Sequence, residues 1–199
     1  FGMVSEQDGK PVNLVLIGGT VLRRNGVGIT TEKAEERARI TAVDRKAGTV
    51  TIAATPPAPQ ALVGKYVFIN NSVRRVTLQV TAVETTPAGT VLTLDLDPLI
   101  GTGLVTGAGA DRVLTSTPFA LRGHRYYHGA RLVNAAGTAE YRLAGVTSAG
   151  FALIDLQEHP ELRQEHLAAA FPNGTWFEIF DYGVGDELSW PTIVSLSQP

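Results

Sequence analysis

Cysteine is absent from the 199 residues. That excludes disulfides, thiolate zinc sites and a cysteine nucleophile. It leaves the cellular compartment open, since exported proteins can also do without thiols. An excess of basic charge is missing as well. The 17 lysines and arginines are outnumbered by 19 aspartates and glutamates, and they are scattered along the chain. Nucleic-acid recognition needs a clustered basic face, so no nucleic-acid partner is expected. No apolar stretch approaches the roughly 18 residues of a membrane-spanning helix, so no membrane span is expected. There is no Gly-x-Ser-x-Gly elbow, which removes the usual sign of a serine hydrolase. The glycines at 101, 103, 107 and 109 are not followed by a Lys-Ser or Lys-Thr pair, so they do not form a phosphate cradle and read as a flexible loop. No signal peptide is present. The chain opens on Phe1 rather than Met, which reads as a fragment, a processed chain or an excised domain.

What the chain does contain is one phrase said three times. Arg39-Ile40-Thr41-Ala42-Val43 is followed by Gly48-Thr49-Val50-Thr51-Ile52. Gln79-Val80-Thr81-Ala82-Val83 is followed by Gly89-Thr90-Val91-Leu92-Thr93-Leu94, and Arg142-Leu143-Ala144-Gly145-Val146 by Gly150-Phe151-Ala152-Leu153-Ile154. Each is an alternating run, a short turn and a second alternating run. Alternation places one set of side chains in a core and the other in water, as in a half-buried antiparallel strand. The glycine closing each turn supplies the positive φ that short hairpin loops often need. No helices alternate with these strands. The expected fold is therefore all-β, an antiparallel sandwich or barrel-like set of layers built from repeated hairpins.

Taken in order, residues 1–35 read as a lead-in: a polar start to Lys10, a hairpin around Asn25-Gly26 pairing Val12–Leu22 with Val27–Ile29, and a solvated charged stretch from Thr30 to Glu36. Residues 36–199 read as one β domain in two related halves, about 36–100 and 113–199, joined by the glycine-rich loop. Pro56, Pro57 and Pro59 make a stiff connector after the first hairpin. A strand over Leu62–Asn70 follows, with Val63, Tyr66 and Phe68 as expected core anchors. One short helix is expected near 160–170. It opens at His159-Pro160, where proline suits the first helical position, and Leu162, His166, Leu167 and Ala170 share a face. Asp95, Asp97 and Asp155 lie at strand ends and read as turn caps. They would serve as paired glycosidase carboxylates only if folding set two of them about 5 to 9 Å apart.

The densest cluster of chemically able side chains is Arg122 to Arg131. As a strand it would place His124, Tyr126 and His128 on one face, with Arg125 and Tyr127 on the other. The first face would hold a base, a phenolic acid and a second imidazole, suited to proton abstraction beside a carboxylate. Arg122 and Arg125, with Tyr127, would bind an acidic sugar. The competing reading packs the rings on the sheet and leaves the arginines on the surface. His124 and His128 have no acidic ligand nearby, so no metal is expected, and nothing calls for a cofactor. The run from His159 to His166 is a solvated helix face, because its two histidines are seven apart rather than four. Trp176, Phe177, Phe180, Tyr182 and Trp190 crowd the last strands. Trp176 and Tyr182 are the candidates for stacking on a pyranose, and the alternative is that this group fills a core.

The segments Arg39-Ile40-Thr41-Ala42-Val43-Asp44, Thr49-Val50-Thr51-Ile52 and Leu62 through Asn70 resemble the C-terminal β region of heparinase II/III-type polysaccharide lyases and their alginate-lyase-like relatives. The closing Tyr182-Gly183-Val184-Gly185-Asp186-Glu187-Leu188-Ser189-Trp190-Pro191 resembles the Gly-Asp turn and last strand of such chains. The resemblance spans about residues 36 to 196 and carries hairpins, not a catalytic motif. It implies a non-catalytic accessory or structural module of a secreted or periplasmic polysaccharide-degrading enzyme acting on uronate-containing glycans. Its partners would be a polysaccharide, acidic in that case, and a catalytic domain of the same polypeptide. A free-standing carbohydrate-binding module and a glycan-active enzyme in its own right are the two alternatives.

Overall fold

The computed structural model describes residues 3–7, 10–15, 20–25, 28–33, 35–70, 75–95, 98–117, 119 and 124–191. Strands β1 (Met3–Gln7) and β2 (Lys10–Val15) pair as one hairpin, and β3 (Thr20–Asn25) and β4 (Gly28–Lys33) as another. Asn25 lies opposite Gly28, so β3 and β4 pair as a hairpin across the Asn-Gly position. Of the stretch Val12–Leu22 expected to pair with Val27–Ile29, only the part in β3 pairs with β4, while the part in β2 pairs with β1. The polar lead-in contains β1, and the charged stretch after Thr30 continues as β4 and the start of β5. Thr30 and Thr31 favour extended backbone despite the low apolar content around them.

Twelve further strands form two closed six-stranded antiparallel barrels. They are β5 (Glu35–Asp44), β6 (Thr49–Ile52), β7 (Tyr66–Asn70), β8 (Arg75–Thr86), β9 (Gly89–Leu94) and β10 (Leu99–Ala108), then β11 (Arg112–Thr115), β12 (Arg131–Asn134), β13 (Glu140–Thr147), β14 (Phe151–Ile154), β15 (Trp176–Phe180) and β16 (Glu187–Pro191). The first barrel runs β16-β5-β6-β9-β8-β7 and the second β15-β10-β11-β14-β13-β12. The all-β, barrel-like expectation is met by closure, which leaves neither barrel an open edge strand.

The two barrels trace the same path. β5 to β9 correspond in order to β10 to β14, and β16 closes the first as β15 closes the second. Their connecting hydrogen bonds match. Gly64 N–H donates to Val80 O at 2.7 Å, and Gly129 N–H to Leu143 O at 2.8 Å. Ile40 N–H donates to Asp186 O at 2.9 Å, and Val105 N–H to Thr175 O at 2.8 Å. The last strand of the first barrel therefore comes from the end of the chain. The second barrel is inserted between β9 and β16, and its ends meet where Asp181 N–H donates to Pro98 O at 2.9 Å. A division at about residue 100 misses this, because Glu187–Pro191 pairs with β5 and β7 rather than with the second half.

The thrice-said phrase has a structural meaning that alternation alone does not show. In each copy the ladder slips by one residue: at Thr41 between Ile40 and Ala42, at Thr81 between Val80 and Ala82, and at Ala144 between Leu143 and Gly145. These are β-bulges, which bend a strand and help a sheet to close. The bulged threonines are held alike, Thr41 Oγ1 donating to Thr51 O and Thr81 Oγ1 to Thr93 O, both at 3.2 Å. A fourth copy is Val105-Thr106-Gly107 in β10, where the register shifts in the same way. It lies within the glycine-rich stretch expected to be a loop. That stretch is a strand because its glycines make room for rings: a methyl group at Gly103 would enter the ring of Phe177. The hairpin glycines Gly48, Gly89 and Gly150 do adopt positive φ, at 68°, 133° and 87°.

Each barrel has its own apolar interior. Ile40, Val50, Ile52, Val67, Ile69, Leu78, Val80, Leu92 and Leu188 fill the first. Val105, Val113, Leu132, Leu143, Phe177 and Ile179 are among those filling the second. Each fully buried aliphatic side chain contributes about 1.5–3 kcal/mol. The expected anchors Val63 and Tyr66 are instead exposed, and Phe68, though buried, lies outside the barrel core. A 3-10 turn at Pro59–Leu62 puts Leu62 in the core and delays the strand to Tyr66, so Val67 and Ile69 take the inward phase. Helix α1 (Gln164–Ala170) starts later than expected, because Leu162 N–H donates back to His159 O and Arg163 is extended. It packs Leu167 and the following Phe171 into the second core, with Leu162 and Ala170 beside them, while His166 faces solvent.

Substitution Gly103→Ala should therefore overpack the second barrel and lower stability by about 1–3 kcal/mol. Urea denaturation followed by circular dichroism measures this, and an unchanged midpoint would show that Phe177 can move aside.

Candidate functional site

The segment Arg122–Arg131 does not form the strand expected of it. His124–Tyr127 is a 3-10 turn, and the strand begins only at Arg131. The alternation that would have placed His124, Tyr126 and His128 on one face therefore does not operate. Arg122 and the side chains of His124 and Arg125 lie outside the described residues. Tyr127 is buried in the second core, edge-on to Phe119 at 5.7 Å, so it is not a sugar-binding surface residue. Tyr126 and His128 are half-buried, and the Tyr126 ring meets Tyr127 edge-on at 5.0 Å. Tyr182, the other stacking candidate, is 1% exposed within the first core and offers no open face. Trp176 does the opposite: it is 57% exposed, with Phe177 and Ile179 turned inward around it.

Asp95 and Asp155 act as caps, accepting from Gln79 N–H at 2.7 Å and Gln157 N–H at 3.0 Å. Asp97 lies outside the described residues. His159 accepts a hydrogen bond at Nε2 from Arg142 N–H at 3.0 Å and stands edge-on to Tyr141 at 5.2 Å. That ring holds a loop against β13. Burial, with the Glu161 charge adding to it, raises the Tyr141 phenol above its ordinary value. Among the described residues no three histidines, aspartates or glutamates are placed to hold a metal, and no helix is long and apolar enough to cross a membrane.

The main charged cluster sits at the junction of the barrels. Asp186, just before β16, has a side chain 1% exposed. Its carboxylate accepts from Arg131 Nη2 at 2.7 Å and from Gly183 N–H at 2.8 Å, with Arg142 Nη2 at 3.6 Å. Arg131 also donates to Val184 O at 3.2 Å. Glu140 accepts from Arg45 of the first barrel at 2.8 Å, and the Arg45 guanidinium lies 4.4 Å from the ring centre of Phe180. Gly183 is required by close approach, since a side chain there would strike Glu140 and Arg131. Burial raises the Asp186 carboxyl above 3.8, against the opposing pull of Arg131 and Arg142.

A second feature appears when the barrels are compared position by position. In the first barrel Glu187 lies opposite Arg39 and Ser189 opposite Arg37. In the second, Trp176 lies opposite Leu104 and Glu178 opposite Thr102. Gly185 N–H donates to Ile40 O at 2.9 Å and Gly174 N–H to Val105 O at 2.8 Å. Arg37, Arg39, Gly185 and Glu187 are thus the counterparts of Thr102, Leu104, Gly174 and Trp176. In the first barrel these residues, with Ala38, line an open depression of about 370 Å³. Sequence reading missed the arginines because Arg37 and Arg39 look like the polar half of an ordinary alternating strand. The available signal was the echo of Gly174-Thr175-Trp176-Phe177 in Gly185-Asp186-Glu187-Leu188.

In comparison with known proteins, no protein-family model matches the chain, and neither does any curated protein or solved structure.

Removing the buried carboxylate with Asp186→Ala should cost about 3–5 kcal/mol, because the buried Arg131 would lose its close acidic partner and keep only Val184 O and, at 3.9 Å, Glu140. Asp186→Asn tests the pH dependence. The folded state holds the Asp186 proton more tightly than the unfolded chain does. The group's contribution to stability is thus fully present below about 3.8 and is lost as pH rises through its raised value. The stability of the parent relative to Asp186→Asn should fall over that interval in urea titrations. A difference that grows with pH would mean that the arginines outweigh burial.

Proposed function

We propose that this chain is a non-catalytic β module of a secreted or periplasmic polysaccharide-degrading enzyme, working by structure and binding beside a catalytic domain of the same polypeptide. The observation that carries this reading is what the charged cluster at the junction of the barrels faces among the described residues. Arg131, Arg142, Asp186, Glu140 and Arg45 contact one another between the barrels, and both barrel interiors are filled by apolar side chains. The resemblance of the hairpins and the closing Gly-Asp turn to uronate-glycan lyase chains supplies the substrate class. A second reading, a carbohydrate-binding module, is favoured by Trp176, whose indole is open on a strand held between β10 and β12. Aromatic side chains on a rigid element lose little freedom when a ligand covers them, which suits stacking on a sugar ring.

The reading is tested by mixing the purified chain with uronate-containing polysaccharide and following unsaturated chain ends, the product of β-elimination, by ultraviolet absorbance. None should form. Product that forms with the parent chain and vanishes with Tyr126→Phe or His128→Ala would establish an enzyme in its own right.

A further inference from the structure

Resting on the glycan reading above, we infer that the depression at Arg39 is a carboxylate subsite for an acidic glycan. Trp176, at the corresponding position of the second barrel, takes the apolar face of a sugar ring. Three observations converge on Arg39. Its Nε donates to Gly185 O at 3.2 Å, which fixes the guanidinium. Glu187, the acidic side chain of the depression, is engaged by Arg37 at 3.0 Å, and among the described residues no ion pair joins it to Arg39. Gly185 leaves open space where a side chain would stand. Among the described residues no hydrogen bond or ion pair engages the two terminal nitrogens of Arg39, which leaves them as a parallel pair of donors, the geometry that binds a carboxylate through two hydrogen bonds. The net charge of Arg37, Arg39 and Glu187 is positive, which also suits an anion.

The second barrel keeps the site and changes its chemistry. Arg39 becomes Leu104, Arg37 becomes Thr102 and Glu187 becomes Trp176, so the fork is replaced by an exposed indole on the same backbone frame. Glu178 is exposed two residues along the same strand face, which disfavours a carboxylate at that position. The two sites therefore differ in what they read: the charge of a uronate at Arg39, the ring face at Trp176.

The test uses the whole chain and oligosaccharides of polygalacturonate, polymannuronate and hyaluronan, each beside its carboxyl-reduced neutral form, with binding measured by calorimetry. At least one acidic form should bind. Arg39→Gln should weaken it by about tenfold or more and leave the neutral form unaffected, since hydrogen bonds to charged groups are worth at least that factor. Arg39→Lys should fall between, because it keeps the charge and loses the fork. Trp176→Ala should weaken both forms. Circular dichroism confirms that each variant is folded. If the parent binds glycans and Arg39→Gln changes nothing, the carboxylate subsite is wrong and the glycan reading stands. If the parent binds none of these oligosaccharides in either form, the glycan reading fails and the subsite falls with it.

Discussion

The buried carboxylate of Asp186 is the constraint on which the arrangement of this molecule depends. It stands at the point where the chain leaves the second barrel to close the first. Its backbone carbonyl receives the Ile40 N–H of β5, and its side chain receives Arg131 of β12. One residue thus ties a strand of each barrel. The surrounding charges extend the tie, through Arg142 on one side and through Glu140 and Arg45 on the other. A buried ion network of this kind is weak as a source of net stability, because desolvation opposes it, but it is intolerant of losing one member. That combination suits a device that specifies one relative placement of two similar barrels rather than one that simply adds stability.

The two barrels are similar without being identical. The two barrels use the same strand path, the same bulges and matching junction hydrogen bonds, yet they differ at the loop before the closing strand. In the second barrel that connection is the 21 residues from 155 to 175, carrying α1, whereas in the first it is the whole second barrel. The outward positions beside the closing strands diverge in the same way. One barrel presents arginines and a glutamate, the other a tryptophan with a leucine and a threonine. A repeated frame with unlike side chains at one repeated position is a simple route to two binding chemistries on one chain.

Much of the fold was legible because it rests on local rules. Alternation marked the hairpins of Ile40, Val80 and Leu143, and the glycines at 48, 89 and 150 marked their turns. Three things were not local. The phase of β7 was set by a 3-10 turn upstream, which reversed the expected roles of Tyr66 and Val67. The strand identity of β10 depended on Phe177, which lies more than 70 residues away and fills the space that its glycines leave. The pairing of β16 with β5 joins residues about 150 apart, which no window of sequence can display. The candidate site was less legible for the same reason. Tyr182 and Trp176 are equally aromatic and lie six residues apart, but one enters a core and the other stays open. Arg39 becomes distinctive only when β16 brings Gly185 and Glu187 beside it.

The chain has two tryptophans, and they report on different barrels: Trp190 sits in the first core and Trp176 on the second. Unfolding Trp176→Phe and Trp190→Phe variants in urea, by fluorescence, measures the two barrels separately. With Asp186 in place the two curves should coincide, and with Asp186→Ala added they should separate. Curves that are already apart with Asp186 present, or that still coincide without it, would contradict the claim that this carboxylate locks the barrels into one unit.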